Sequence, residues 1–180
     1  MLTLQNAVLL IIDIQEKFRP TLFNAESLIQ NTQTLVKGCV LLDVPVVVSE
    51  QYPHGLGHTV PEILDCLPAE TPVFEKTSFG CYDDAAIQTR LKHLNRKQVI
   101  ICGLEAHVCV MQTALRLLEE GYEVYIVEDA LGARSEKNAE VAMKRLTQAG
   151  AIPACVEMAL LELLRTSTHT QFKVVQALIK

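Results

Sequence analysis

ICGLEAHVCVMQTALRLLEEG, running from Ile101 to Gly121, reads as a buried strand in its first half and as a helix in its second. An apolar run too continuous to alternate, passing straight into 3.6-residue spacing, is one βα unit of a parallel sheet covered on both faces. The changeover is chemically unusual. It carries Glu105, His107 and Cys109, where such a connection usually holds Gly, Asn or Ser.

The same pattern recurs on either side. AVLLII (7–12), VPVVVS (44–49), QVIICGL (98–104), EVYIVED (123–129) and AIPACV (151–156) are Val- and Ile-rich runs separated by helical patterns. A shorter run, TPVFEK (71–76), adds a sixth strand at an edge, where Pro72 is tolerated. Asn24 is placed to cap a helix reaching Gly38–Leu42, and segments 83–94 and 135–150 show helical spacing. Gly121 and Gly150 stand where C-terminal caps belong. The tail 168–180 opens with a Thr168/Gln171 capping box and puts Phe172, Val175, Leu178 and Ile179 on one side. With no linker and no repeat, the 180 residues predict one domain, a three-layer α/β/α doubly wound sandwich on a six-stranded, mainly parallel sheet. Segment 50–71 alone lacks periodicity, which suggests a functional or lid-like loop.

Composition narrows the function. A chain of this length buries about 70% of its unfolded surface, and 49% apolar with 21% charged residues is globular rather than disordered. The formal net charge of −5 argues against a nucleic-acid footprint. No apolar run is long enough for a membrane span, and the N-terminus lacks the charge pattern of a signal peptide. Six cysteines without a C-x-x-C pair suggest free thiols in a reducing compartment, so the expected location is cytoplasmic.

In open parallel sheets, ligands bind beyond the carboxyl ends of the strands. That rule gathers Asp13, Glu50, Gln51, Lys76, Glu105 through Cys109, and Asp129 at one rim. Cys109 falls in the first turn of a helix, where free backbone N–H groups, the macrodipole and a nearby Lys76 would favour a thiolate, with Asp13 to take its proton. The competing reading is a small buried hydrophobe, as most cysteines are. Asp13 could be a simple turn cap, but a carboxylate between Leu9–Ile12 and Ile14 is costly unless it is paired. His54 and His58 lie in HGLGH, whose glycines and flanking Pro53 and Pro61 argue against a helix and hence against an i, i+4 metal pair. GLGHTV is no dinucleotide fingerprint, because it lacks the third glycine and opens no helix after a strand.

LLIIDIQEKF, FEKTSFGCYD and ICGLEAHVCVMQTALRLLEEGYEVYIVEDALGARS, in this order and at strand ends, resemble the isochorismatase-like cysteine hydrolases, and the likeness spans about Ala7 to Leu164. The EAHVCV wording is most similar to the isochorismatase-domain-containing branch. The resemblance implies a catalytic triad of Asp13, Lys76 and Cys109. It also implies a non-proline cis peptide joining Glu105 and Ala106, which would turn the Ala106 and Cys109 N–H groups into an oxyanion hole, with Glu105 and His107 in support. Glu50–Gln51–Tyr52–Pro53 stands where nicotinamidase-like members carry an Asp-x-His metal motif, so no metal and no cofactor are expected. True isochorismatases lack the nucleophilic cysteine, so Cys109 argues against vinyl-ether cleavage. The expectation is a hydrolase of a small amide or related C–N bond, acting through a thioester, with Phe18, Tyr52, Phe79 and His107 as pocket walls. The alternative is a non-catalytic binding or scaffold protein, or a thiol sensor, on the same fold. A small-molecule substrate and a homo-oligomer are the expected partners, with neither nucleic acid nor membrane.

Overall fold

The computed structural model describes all 180 residues. Strands β1 (Ala7–Ile12), β2 (Val46–Gln51), β3 (Val73–Lys76), β4 (Gln98–Gly103), β5 (Glu123–Leu131) and β6 (Ile152–Ala154) form one sheet in the order β3-β2-β1-β4-β5-β6. Every neighbouring pair is parallel, so the sheet is wholly rather than mainly parallel. The order reverses direction between β1 and β4, and the crevice for a ligand lies at that switch point.

Eight helices accompany the strands: α1 (Ala25–Leu41), α2 (Pro53–Leu56), α3 (Pro61–Leu64), α4 (Ala85–Leu94), α5 (Met111–Glu119), α6 (Glu136–Gln148), α7 (Val156–Leu164) and α8 (Phe172–Leu178). The strand period of two divides the core cleanly. Leu9, Ile11, Val48, Ile100 and Val127 face one side and pack with Leu35 of α1, Leu160 of α7 and Val175 of α8. Val8, Leu10, Val47, Ile101 and Ile126 face the other and pack with Leu91 of α4, Leu117 of α5 and Leu146 of α6. Continuous apolar runs are therefore what two covered faces require. No helix is long and apolar enough to cross a membrane.

Gly103 ends β4 at φ +118, and a Cβ there would sit 2.0 Å from the carbonyl oxygen of Ile12. Only glycine lets the ends of β1 and β4 approach this closely. The anticipated caps of α5 and α6, Gly121 and Gly150, also adopt positive φ.

Three local expectations are corrected. Asn24 precedes α1 but makes no side-chain cap; its amide instead donates to the Leu131 carbonyl across the layer. The tail helix begins only at Phe172, without a capping box, because Thr168 closes a local turn by donating its N–H to Thr166 Oγ1. Its apolar side packs on the domain itself, with Val175 fully buried and Phe172 and Ile179 against the α1-side core. Segment 50–71 holds two single-turn helices, each opened by a proline, so His54 is briefly helical before Gly57 at φ +79 ends the turn.

Candidate active site

β1 and β2 both end in left-handed backbone carried by non-glycine residues, Asp13 at φ +53 and Tyr52 at φ +39. Such strain persists only where the surroundings enforce it. Around Asp13 they do. Its N–H donates to the Ser49 carbonyl, and Ser49 Oγ donates to Asp13 Oδ1 at 2.7 Å. Lys76 Nζ holds Asp13 Oδ2 at 2.8 Å, with both side chains wholly buried. Gln15 clasps the two strand ends: its Oε1 accepts the Gln51 N–H, and its Nε2 donates to the carbonyls of Gln51 and Gly57.

Lys76 Nζ has three protons and four acceptors: Asp13, Gln51 Oε1 at 2.6 Å, and the carbonyls of Ser78 and Phe79 at 3.2 Å each. Burial disfavours its charge, but the charge and hydrogen bond of the Asp13 carboxylate outweigh it and hold the ammonium above the usual lysine value. Saturated in this way, Lys76 anchors charge and has no proton to spare for a ligand.

Cys109 is buried in a π-helical turn, Ala106–Val110, that runs directly into α5. Extra-wide turns of this kind are frequent at functional sites. Against the thiolate expected at the helix end stands the desolvation of the thiol. Burial first, and then the Asp13 carboxylate, push the thiol up to about 12, while Lys76 pulls it down only in part. The site thus holds a protonated thiol beside a carboxylate able to receive its proton.

The implied cis linkage is also corrected. No cis peptide is present, and Glu105–Ala106 is trans. In this form the Ala106 N–H donates to Gly132 at 2.8 Å and the Glu105 carbonyl accepts from Val108 and Val110, so the wide turn satisfies its own backbone. Of the two amides assigned to an oxyanion hole, that of Ala106 is therefore already engaged.

The remaining rim residues separate. Glu105 forms a half-covered ion pair with Arg134 at 2.7 Å. His107 lies beside Asn138, its Nε2 at 3.4 Å from Nδ2, while its buried Nδ1 has no partner. Tyr52 and Phe79 are exposed, and Tyr52 lines a depression of about 370 Å³ with Lys76, Pro53, His54, Glu75, Thr77 and Asp84. Phe18 is half-buried and packs into the α1-side core. Glu50 turns to Thr59 and His58, and Asp129 Oδ1 receives the Val156 N–H at the start of α7. No three His, Cys, Asp or Glu side chains meet as metal ligands would. Sequence reasoning missed Gln15, Ser49, Cys81 and Thr113. The available signal was polar residues inside or just after apolar runs, such as Ser49 after Val46–Val48.

The fold and site together are a doubly wound α/β sandwich with a buried Asp–Lys pair and a cysteine in the turn after β4. An isochorismatase-domain family model matches residues 7–158, and the chain belongs to the isochorismatase family. Isochorismatase domain-containing protein 2 of Danio rerio is 41% identical over 180 residues, covering 99% of this chain and 89% of that protein. The structure of MAR1 ribonuclease from Caenorhabditis elegans is similar at a TM-score of 0.94 and 40% identity, covering 99% of this chain and 91% of that one. YcaC from Pseudomonas aeruginosa, solved with hexane-2,5-diol and covalent acrylamide, is similar at 0.92 and 25% identity, covering 98% and 90%.

Proposed function

We propose that the protein is a cysteine-dependent hydrolase of a small amide or related C–N bond, a cytoplasmic enzyme working as a homo-oligomer. The observation that carries this reading is the buried Asp13 carboxylate, held on both oxygens by Ser49 and Lys76 and bearing on the Cys109 thiol. Asp13 takes the thiol proton as the sulfur attacks the carbonyl carbon. The tetrahedral adduct then collapses, the C–N bond breaks, and the amine leaves with the proton that Asp13 returns. Water next attacks the thioester, gives its proton to Asp13 and releases the acid, and the proton goes back to sulfur. Lys76 holds the carboxylate in place throughout and neutralises its charge, and no metal is assigned a part.

Because burial pushes the thiol up, proton transfer to Asp13 accompanies the attack in this reading. The covalent acrylamide on YcaC is compatible with a reactive side chain in a protein of this fold. An RNA substrate, suggested by the name of the Caenorhabditis elegans protein, fits less well with a formal net charge of −5.

The test is intact mass after acid quench of protein incubated with small primary amides and carbamoyl compounds. One acyl unit should appear on wild type and none on Cys109→Ala, with Asp13→Asn strongly slowed. Ammonia release that survives in Cys109→Ala overturns the mechanism. The high-lying thiol is the one observation favouring a binding or scaffold domain, or a thiol sensor, and an inert Cys109 across the panel selects that reading.

A further inference from the structure

Cys81 and Ser49 are fully buried, and the mechanism above gives Cys81 no part. Ser49 lies two residues after Val47 on β2, so it faces the α5 side of the sheet, where the pattern calls for another valine. Its hydroxyl has one proton, and that proton goes to Asp13 Oδ1. The Cys81 thiol donates into the same hydroxyl oxygen at 3.4 Å, which fixes the direction of the chain from sulfur to hydroxyl to carboxylate. Burial and the Asp13 carboxylate push the Cys81 thiol up to about 11, so it remains a donor through the neutral range.

A second chain joins this one to the nucleophile. The Cys81 N–H donates to Thr113 Oγ1 at 2.8 Å, and Thr113 Oγ1 donates to the Cys109 carbonyl at 2.6 Å. Asp13 is thereby held from two strands: Ser49 of β2 on one oxygen and Lys76 of β3 on the other. Two donors on different oxygens stop the carboxylate rotating, which a single partner would not.

We propose that Ser49, Cys81 and Thr113 form a positioning frame that fixes the Asp13 carboxylate relative to the Cys109 sulfur. The three act through the Asp13 carboxylate and the Cys109 backbone. The frame rests on the reading of Asp13 as the proton acceptor. Lys76, Cys81 and Cys109 are the charged or titratable groups around that carboxylate, so a pH profile reports on this set.

The experiment uses acrylamide on the intact protein, with Cys109 followed by peptide mapping from about pH 5 to about pH 9. The sulfur bonds the terminal alkene carbon, and its proton passes to Asp13 and then to the carbon beside the carbonyl. Ser49→Ala should slow this addition by about tenfold across that range, because the carboxylate loses the donor that holds one of its oxygens in place. Ser49→Thr, which keeps the hydroxyl, should restore the rate. Cys81→Ser should resemble wild type, and Cys81→Ala should lie between wild type and Ser49→Ala. Folded Ser49→Ala with an unchanged rate overturns the frame. Should Ser49→Ala not fold, equal rates in Cys81→Ala and Cys81→Ser overturn it instead. Asp13→Asn reacting like wild type fails the underlying base assignment, and the frame with it, a result distinct from the other two.

Discussion

Asp13 and Lys76 meet at 2.8 Å with neither side chain exposed, the one wholly buried ion pair in the sheet. Taking two charges out of water is expensive, and a fully buried pair is weak evidence of stabilisation. Breaking it is another matter. Lys76→Met should destabilise the fold by about 3–5 kcal/mol, because Asp13 is left as an uncompensated buried charge. Urea unfolding of the single variants and of Asp13→Asn/Lys76→Met checks this, and the double variant should lose less than the sum of the singles. Strict additivity would mean that the two groups do not depend on one another.

Thiol labelling should follow burial. Cys66 and Cys155 are the partly exposed thiols, whereas Cys39, Cys81, Cys102 and Cys109 are buried. Burial pushes Cys109 up to about 12 and Cys81 up to about 11, so neither supplies much thiolate at neutral pH. Iodoacetamide at neutral pH should therefore label Cys66 and Cys155 before Cys109, the reverse of the order that a helix-end thiolate would give. Peptide mapping with Cys109 labelled first would mean that the resting thiol is already activated.

Gln15 carries three contacts of a kind that water cannot replace. It is buried, and it joins the Gln51 N–H and carbonyl to the Gly57 carbonyl. Gln15→Ala should cost about 1–3 kcal/mol in urea unfolding, through backbone groups left unpaired. Gln15→Glu should cost more, since a carboxylate oxygen would replace the amide that donates to two carbonyls. Equal stability of Gln15→Glu and wild type would show that the clasp is not what joins β1 to segment 57–59.

The strands were legible because burial on two faces leaves an uninterrupted trace: AVLLII is fully buried from Ala7 to Ile12. Glu50, Glu105 and Asp129 turn to other partners, whereas the Asp13–Lys76 pair was legible through the rule that ligands gather at strand ends. Ser49 and Gln15 were not, because the partners that make them matter lie 36 residues away and adjacency in the sheet is invisible to local pattern. The failed capping box at Thr168 and the misplaced role of Asn24 have a related cause, since the Thr168 hydroxyl met that of Thr166 and the Asn24 amide met the Leu131 carbonyl, both outside the helix to be capped. The thiol of Cys109 misled in the opposite sense. A helix end and a lysine are readable in sequence, whereas the desolvation that outweighs them is a property of the packed core.

The loop that closes over β2 should depend on pH in a window set by His58 and Glu50, which meet at 3.0 Å. Burial pushes the Glu50 carboxyl up, but the Thr59 N–H and hydroxyl together with His58 outweigh it and hold it below the ordinary carboxylate range. The hydrogen bond and charge of Glu50 hold the His58 imidazolium above the usual histidine value, with Glu75 and Glu16 adding to them. A lowered carboxyl stabilises the fold above its unfolded value, and that contribution is lost as pH falls through the folded one. A raised histidine stabilises below its unfolded value, and that contribution is lost as pH rises through the folded one. Both contributions are complete only from about pH 5 to about pH 6. Amide exchange at Thr59, corrected for its intrinsic rate, should be slowest in that window and rise on either side. His58→Asn should remove the alkaline rise and leave the acid one, because Glu50 keeps its bonds to Thr59. Glu50→Gln should abolish both. Protection at Thr59 that stays constant from about pH 4 to about pH 8 would show that the pair does not hold the loop.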